Sequence, residues 1–360
     1  RGRSTIFSST RPLIVVDNFP YEGNLENINP NDIESVTVLK DATAASIWGV
    51  RSANGVIVVT TKKAKDHFRA EFSSTFSTAS KPDLFYQPQM SSEDFIDVEK
   101  YLFQQGYYDK TINTRYEDIS AVVEVMDQVR SGKLSAEQAE RKLSEYGKID
   151  SREDYGKYFF RNKLESQQYV GISSASSQFR NVIGIGYDKS LSERVAVDQQ
   201  RFNLRTSSQW TGLNDRVNVD LNIWYTGNKH NNGNAAGYTP RYPYDRFIGK
   251  DGQPAEASGA GSLRRSYTDT VANGLLLDWK YRPLEELNNR WNNFTSNDQQ
   301  LRYDLGLAGR LYRSISLKLN FLSSRNWTDN IQHYDKNSFF VRDRVNQFTS
   351  IDPATRFLSR

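Results

Sequence analysis

Residues 12–63 constrain the fold of this chain more than any other stretch, because they hold three runs with strand-like patterns in close succession. Residues 13–16 form a short apolar run, residues 33–39 alternate in polarity, and residues 56–61 are β-branched throughout. Such patterns are typical of buried or half-buried strands. The stretch therefore predicts a compact set of three β-strands.

The residues between the last two of these runs predict a helix followed by a turn. Asp41 is placed to cap a helix of small residues that Gly49 ends. Asn54 and Gly55 then predict a tight turn into the last strand.

Within this stretch four short runs follow one another: DIE at 32–34, VLKDA at 38–42, WGVRSANGVI at 48–57 and TTKK at 60–63. Together they closely resemble the end of the plug domain in SusC/RagA-like TonB-dependent outer-membrane transporters. The family usually has Gly after the Asp of the first strand, whereas here Asn18 follows Asp17. Because Asn tolerates left-handed backbone, we expect the turn to be preserved. The motif residues, which we interpret as structural, are Asp17, Lys40, Asp41, Gly49, Arg51, Asn54 and Gly55.

The resemblance implies a mainly β fold, in which a plug domain segment is followed by part of an antiparallel transmembrane β-barrel with a helical loop insertion. Residues 1–63 are expected to be the C-terminal half of the plug, and residues 64–360 the N-terminal part of the barrel. The chain is then expected to be an internal fragment that lacks the front of the plug, the segment that contacts TonB and most barrel strands.

Composition fits a barrel without proving one. The chain is 12% aromatic and yet polar, with a mean hydropathy of −0.70, a mixture found in membrane barrels. Composition alone favours a large secreted β protein, and the plug resemblance reverses that preference. The absence of Cys excludes disulfides, thiol catalysis and cysteine-ligated zinc. The net charge of +4 is spread along the chain, which predicts no nucleic-acid partner.

Alternating strands support the barrel. Residues 69–79 place Phe72 and Phe76 on one face and are the expected first barrel strand. Later strands carry apolar residues on one face and charged or amide residues on the other, and short connections alternate with longer ones, as outer-membrane barrels require. The further predicted strands are 168–174, 178–189, 201–211, 216–229, 300–312 and 315–326.

Two long connections interrupt the strands. Residues 81–167 change to helical periodicity, with a capping box at Ser135 and Gln138, and are expected to form a packed extracellular loop. Residues 230–299 are rich in Gly, Asn and Tyr and predict a second long loop. The helical stripes expected to face a core are Phe95, Val98 and Leu102; Val122, Val125, Met126 and Val129; and Ala136, Ala139, Leu143 and Tyr146.

No catalytic or metal site is discernible. His67, His230 and His333 lie far apart, without the spacing of metal ligands, and no nucleophile accompanies a base. Gly184 and Gly186 lie inside an alternating strand with no helix after it, so they do not indicate a phosphate loop. We therefore expect no enzyme activity and no cofactor.

The second long loop holds the candidate ligand residues, since rings stack on sugars or peptide side chains while Arg supplies directed hydrogen bonds. Packing of the loop onto the barrel rim explains the same tyrosines equally well. Tyr21 and Asn24, in the first loop of the plug, are weaker candidates. The loop candidates are Tyr238, Arg241, Tyr242 and Tyr244.

The function implied by the resemblance is TonB-energised import of a nutrient, a glycan or a peptide, across the outer membrane of a Bacteroidota-type bacterium. The implied partners are a SusD-like lipoprotein, the TonB complex and the lipid bilayer. Two alternatives remain: a soluble or surface-attached β protein that binds carbohydrate without transport, and a siderophore receptor of the same fold.

Overall fold

The computed structural model describes residues 12–23, 25–39, 48, 54–65, 67–214, 216–233, 237–258, 262–312, 315–352 and 358–359. The helix expected at 41–49 lies outside these residues apart from Trp48. The motif residues Lys40, Asp41, Gly49 and Arg51 and the ligand candidate Asn24 also lie outside them.

The first unit is a four-stranded sheet with the order β2-β1-β4-β3, in which β1 and β4 run parallel. The sequence predicted three of these strands with the bounds observed and missed β2. The turn between β1 and β2 has φ of 47° at Asp17 and 72° at Asn18, which confirms left-handed backbone there. The strands are β1 Leu13–Val16, β2 Phe19–Tyr21, β3 Ile33–Leu39 and β4 Val56–Thr61.

The two central strands of this small sheet, β1 and β4, are covered on both faces, whereas the middle of the edge strand β3 is exposed. Val15 and Val56 are buried on one side, and Val16 and Val59 pack with Ile28 on the other. A β-branched strand with no polar face suits such a position. Gly55 precedes β4 with φ of 93°, so the predicted tight turn is present.

The second unit is an antiparallel meander of seven strands, which we call the wall. Its first strand has the predicted bounds, and the others are longer than predicted at one or both ends. The loop expected at 230–299 therefore begins after Gly233 and ends before Asn292, and only residues 192–196 join β7 to β8. The strands are β5 Arg69–Ala79, β6 Lys163–Ala175, β7 Phe179–Leu191, β8 Val197–Gly212, β9 Val217–Gly233, β10 Asn292–Tyr312 and β11 Ile315–Tyr334.

The wall exposes its apolar face and buries its polar face, which is the reverse of the arrangement in a soluble protein. On β8, Phe202 and Trp210 are 39% and 41% exposed, whereas Asn203 and Arg205 are 5% and 1% exposed. The buried polar face covers the first sheet and its loops, and the apolar face looks outward. The predicted alternation is thus confirmed, with the polar side inside.

The connections lie at opposite ends of the wall. We call the end with the long connections, 80–162 and 234–291, the loop end, and the opposite end, with short connections such as residues 176–178, the turn end. The described part of the chain contains no helix long and apolar enough to cross a membrane. The longer connections and the tail contain α1 Ser92–Gln104, α2 Asp109–Asn113, α3 Ala121–Arg130, α4 Ala136–Gly147, α5 Ser151–Tyr158, α6 Arg265–Thr268, α7 Pro283–Asn289 and α8 Phe339–Gln347, followed by β12 Ser350–Ile351 and β13 Leu358–Ser359.

The helices pack as expected with two corrections, one of which is that Ala136, at the start of the α4 stripe, is exposed. The stripe on α3 is confirmed, as is the capping box that begins α4. On α1, however, Val98 is 42% exposed, and the buried positions are Ser92, Ile96 and Glu99. The predicted stripe on α1 was wrong because the packed face of the helix includes the Glu99 carboxylate, which accepts a hydrogen bond from the Tyr244 hydroxyl.

Candidate functional site

The first sheet is fastened to the wall at a carboxylate. Pro30–Asp32 is a single 3₁₀ turn, capped by the Asn29 side chain, and it places Asp32 against the wall. The Tyr169 hydroxyl donates to Asp32 Oδ1 at 2.9 Å, and Arg205 Nη1 lies 3.8 Å from the same oxygen. Burial raises the pKa of the Asp32 carboxyl, against the opposing effects of the Arg205 guanidinium and the Tyr169 hydroxyl.

Arg205 also holds the end of β4. Its Nη2 donates to Thr61 Oγ1 and, at 3.1 Å, to the Lys62 carbonyl. The Thr61 hydroxyl in turn donates to Asp17 Oδ2 at 2.5 Å, and the Thr61 amide donates to Asp17 Oδ1 at 2.9 Å. The motif residue Asp17 therefore ties the β1–β2 turn to the strand that Arg205 grips. We call Asp17, Asp32, Thr61, Tyr169 and Arg205 the polar clasp.

Two glycines of β7 allow this close approach. A Cβ added at Gly184 would collide with Asp32 Oδ1 and the Tyr169 hydroxyl, and one at Gly186 would collide with the Asn29 side-chain amide. Close backbone approach is a recognised reason for glycine inside a strand. The pair that sequence analysis excluded from phosphate binding thus forms the surface on which the Pro30–Asp32 turn rests.

A second attachment involves Tyr21, one of the ligand candidates. Its hydroxyl donates to Gln300 Oε1 at 3.1 Å, and the Arg302 guanidinium lies over its ring at 5.3 Å. Arg302 also donates to the Pro20 carbonyl at 3.3 Å and is bound by Asp304 at 2.9 Å. Burial raises the pKa of Tyr21 to about 12 although the Arg302 charge opposes it. The structure thus places Tyr21 at the end of β2, where the first sheet meets the wall, and not in a loop as expected; its ligand binding stays a prediction.

A polar cavity of about 420 Å³ lies closer to the loop end of the wall than these attachments do, and we call it the loop-end cavity. The first sheet contributes the loop with Gly23, Glu26 and Asn27, and the wall supplies mainly amide and hydroxyl side chains. Asn228 Nδ2 donates to Asn27 Oδ1 at 3.1 Å, so the cavity spans both units. The wall residues are Gln199, Arg201, Thr226, Asn228, His230, Asp298, Gln299, Gln300, Asn326, Trp327 and Thr328.

The loop tyrosines occupy a different place. Tyr238 and Tyr244 are only 9% and 3% exposed, and the Tyr244 hydroxyl donates to Glu99 Oε2 at 2.5 Å. Tyr242 is half-buried and stacks in parallel on Tyr244 at 5.5 Å. Arg241 is exposed and pairs with Asp118 at 3.3 Å. These four residues lie in the loop assembly and outside the loop-end cavity, and their ligand binding stays a prediction.

Asp32 and Thr61 entered the sequence analysis only as part of the plug motif, and His230 only as a histidine without metal-ligand spacing. Tyr169 and Arg205 were not predicted as site residues, and neither were the remaining residues of the loop-end cavity. The available signal was the polar face of each strand: Arg205 stands in the middle of one such face, and Asn228 continues another. Polar residues repeated on one side of a barrel strand face the lumen. Among the described residues, no group of three or more His, Asp or Glu side chains is placed to hold a metal.

The chain resembles known proteins in sequence over its first part. Residues 1–56 match the family described as the TonB-dependent Receptor Plug Domain. The TonB-dependent receptor SusC of Bacteroides thetaiotaomicron is 46% identical over 74 residues, 18% of this chain and 7% of that protein. The TonB-dependent receptor P3 of Formosa agariphila is 35% identical over 129 residues, 33% of this chain and 11% of that protein.

The fold agrees over nearly the whole chain. A solved structure of the RagAB peptide importer in its closed-closed state superimposes with a TM-score of 0.64 at 21% identity, covering 92% of this chain and 36% of that one. At that identity the likeness shows the fold alone. The chain thus spans about a third of the solved importer chain and about a tenth or less of the two curated relatives.

Proposed function

We infer that this chain, part of a SusC-like TonB-dependent receptor by its plug motif and its fold, serves the TonB-dependent import of a nutrient across a bacterial outer membrane. The nutrient class proposed is a glycan or a peptide. We propose transport rather than catalysis, with a SusD-like lipoprotein and the TonB complex as partners. The plug segment extends to residue 63, and the barrel segment begins at residue 64.

One observation carries this proposal: the wall exposes its apolar face and buries its polar face against the plug. A soluble protein would expose Asn203 and Arg205 and bury Phe202. In a lipid bilayer the observed arrangement is the favourable one, because outward side chains meet hydrocarbon and inward ones meet water or the plug. It supports the transporter over a soluble carbohydrate-binding β protein.

The loop-end cavity is the proposed binding site inside the barrel. Its amides and hydroxyls offer both donors and acceptors, which suit sugar hydroxyls or a peptide backbone. Because Asn27 of the plug and Asn228 of the wall meet there, a bound ligand would contact both units. Pulling on the plug would then break the polar clasp and open the path below the ligand, since an element held by buried contacts needs work to open.

The experiment is ligand binding and uptake by the full-length receptor, with oligosaccharides and peptides as probes. Asn228→Ala removes a donor in the cavity, so we expect binding of the accepted probe to weaken about tenfold, the effect of about one lost hydrogen bond. Asn218→Ala, on the same strand at the turn end, is the matched control and should leave binding unchanged.

Two results would overturn the assignment. Partition of the full-length protein into aqueous buffer without detergent would contradict the membrane transporter. Growth supported by iron chelates, with neither glycans nor peptides taken up, would favour the siderophore receptor.

A further inference from the structure

A second cavity, of about 490 Å³, lies in the loop assembly, and we call it the loop pocket. Every residue that lines it belongs to one of the two long connections, 80–162 and 234–291, and none to the plug or the wall strands. It lies among the end of α4, the start of α3 and the segment 244–250. It is therefore separate from the loop-end cavity, and ligand binding in it is independent of the proposed function.

The floor of the loop pocket is apolar. Tyr244 is buried there with its ring 5.7 Å from that of Tyr146. Ile149 packs on the cluster that includes Tyr244, whereas Ile248 packs on a different cluster around Phe247. The pocket thus lies where two loop cores meet, with apolar side chains from each.

The rim is charged, and its cations outnumber their partners. Four basic and three acidic residues line the pocket. Lys250 pairs with Glu145 at 2.9 Å, and Arg265 pairs with Glu256 at 2.9 Å. The third acid, Asp245, accepts the backbone amides of residues 241 and 242 at 2.9 Å each.

Two cations remain, Lys148 and Arg246. In the part of the chain that the structure describes, neither side chain makes a hydrogen bond or a close ion pair, and both residues are exposed. The hydrogen bond from Lys250 is the main cause that lowers the pKa of the Glu145 carboxyl, and the charges of Lys148 and Arg246 add to this effect only from a distance. A guanidinium that no carboxylate contacts closely, beside an apolar floor, is suited to a carboxylate attached to an apolar group, since Arg binds carboxylates through two parallel hydrogen bonds. The volume of the pocket lies within the range usual for small-molecule sites.

We propose that the loop pocket binds an amphipathic carboxylate, whose apolar group lies on Tyr146, Ile149 and Ile248 while its carboxylate binds Arg246, with Lys148 nearby. The apolar C-terminal residue of a peptide and a free arylalkanoic acid share this chemistry. A carboxamide of the same shape lacks the charge and binds more weakly.

The test uses the full-length receptor in detergent and calorimetric titration with three probes: acetyl-Ala-Ala-Leu, its C-terminal amide, and 3-phenylpropanoate. We expect at least one carboxylate to bind, with the acid form of the peptide at least about tenfold tighter than the amide if the peptide is the ligand. Binding of phenylpropanoate without the peptide would assign the site to free acids. Arg246→Gln should abolish the preference for the carboxylate.

Matched variants separate the site from general effects. Arg141→Gln removes the same charge from an exposed position on α4 and should change nothing. Ala255→Phe places a ring in the loop pocket and should abolish the preference for the carboxylate over the amide, whereas Asn228→Ala, in the other cavity, should leave that preference intact. The proposal is overturned if no carboxylate binds, if acid and amide bind equally, or if Arg246→Gln has no effect in a receptor whose thermal unfolding is unchanged.

Discussion

Arg205 is the residue through which the wall holds the plug. It is 1% exposed and combines the ion pair with Asp32, two hydrogen bonds to the end of β4 and a contact with the Trp224 ring at 5.1 Å. Among the described residues, its Nε and Nη1 atoms have no hydrogen-bond partner. Burying a cation whose hydrogen bonds are incomplete carries a desolvation penalty that offsets much of the attraction to Asp32. This attachment therefore fixes the position of the plug but adds little net stability.

Removing only one charge of this pair should loosen the plug. Arg205→Met leaves Asp32 buried without its cation, which typically costs about 3–5 kcal/mol. We expect amide exchange in β4 to accelerate at least about a hundredfold, measured on the full-length receptor by hydrogen exchange. Arg180→Met, at an exposed position on β7, is the control.

The second charge provides the cross-check. Asp32→Leu combined with Arg205→Met removes both charges, so most of the lost protection should return. If the double variant exchanges as fast as Arg205→Met alone, the hydrogen bonds to Thr61 and Lys62 hold the plug, and the pair with Asp32 does not.

At this scale the sequence predicted local conformation and missed remote partners. The left-handed turn at Asp17 and Asn18 follows from the properties of the residues themselves. The partners of Arg205 do not, because Thr61 lies 144 positions earlier and nothing local to either residue marks the contact. The alternation along β8 predicts that the Arg205 side chain faces inward, but it does not predict which residues that side chain contacts.

At the scale of elements, strand centres were predictable and strand ends were not. Toward the loop end the alternation of apolar and polar residues stops. Residues 292–299 are mostly Asn, Ser, Asp and Gln and therefore resemble a loop, although they form the beginning of β10. Pairing with the neighbouring strands keeps them extended. Strand β2 was missed because Pro20 weakens its pattern, and Pro is tolerated there since β2 is at the edge of its sheet.

The docking of loop 234–291 onto the helical insertion should depend on pH through Asp245. Burial raises the pKa of Asp245 to about 6, whereas its ordinary value is 3.8. A folded-state pKa above the unfolded value means that the group contributes most stability below about pH 4 and that this is lost as the pH rises toward 6. The effect amounts to roughly 2–3 kcal/mol at most.

Asp245→Asn tests this dependence, because its amide oxygen can still accept the two backbone amides. The protection factors of the α3 amides, which compare each exchange rate with the intrinsic rate at the same pH, should be lower at pH 7 than at pH 4.5 in the unmodified receptor, and the variant should show a smaller difference. Asp97→Asn, at an exposed position on α1, should retain the full difference. An unchanged pH difference in Asp245→Asn would show that other buried acids, such as Glu99, dominate.

At the scale of the whole molecule, the inverted wall explains why a polar chain can have an apolar exterior. On the wall strands the aromatic and aliphatic side chains lie mostly on the outer face, while most of the buried side chains of these strands are polar. The mean hydropathy of the chain therefore does not reveal the alternation of apolar outer and polar inner residues that defines the fold. Composition could not decide between a secreted and a membrane β protein because it carries no record of which face each residue occupies.

The outer face gives a final prediction that separates these two classes. Ile185 lies at the middle of β7 and Phe179 at its turn end, and the two are 42% and 44% exposed. In a bilayer, Ile185→Arg should destabilise the folded receptor by about 2–4 kcal/mol, whereas Phe179→Arg should cost about 0–1 kcal/mol, because the penalty for a charge depends on depth. Urea unfolding of the full-length receptor in lipid vesicles measures both. If the face were exposed to water, both substitutions would be nearly neutral, within about 0.5 kcal/mol of each other, and the lipid-facing assignment would be wrong.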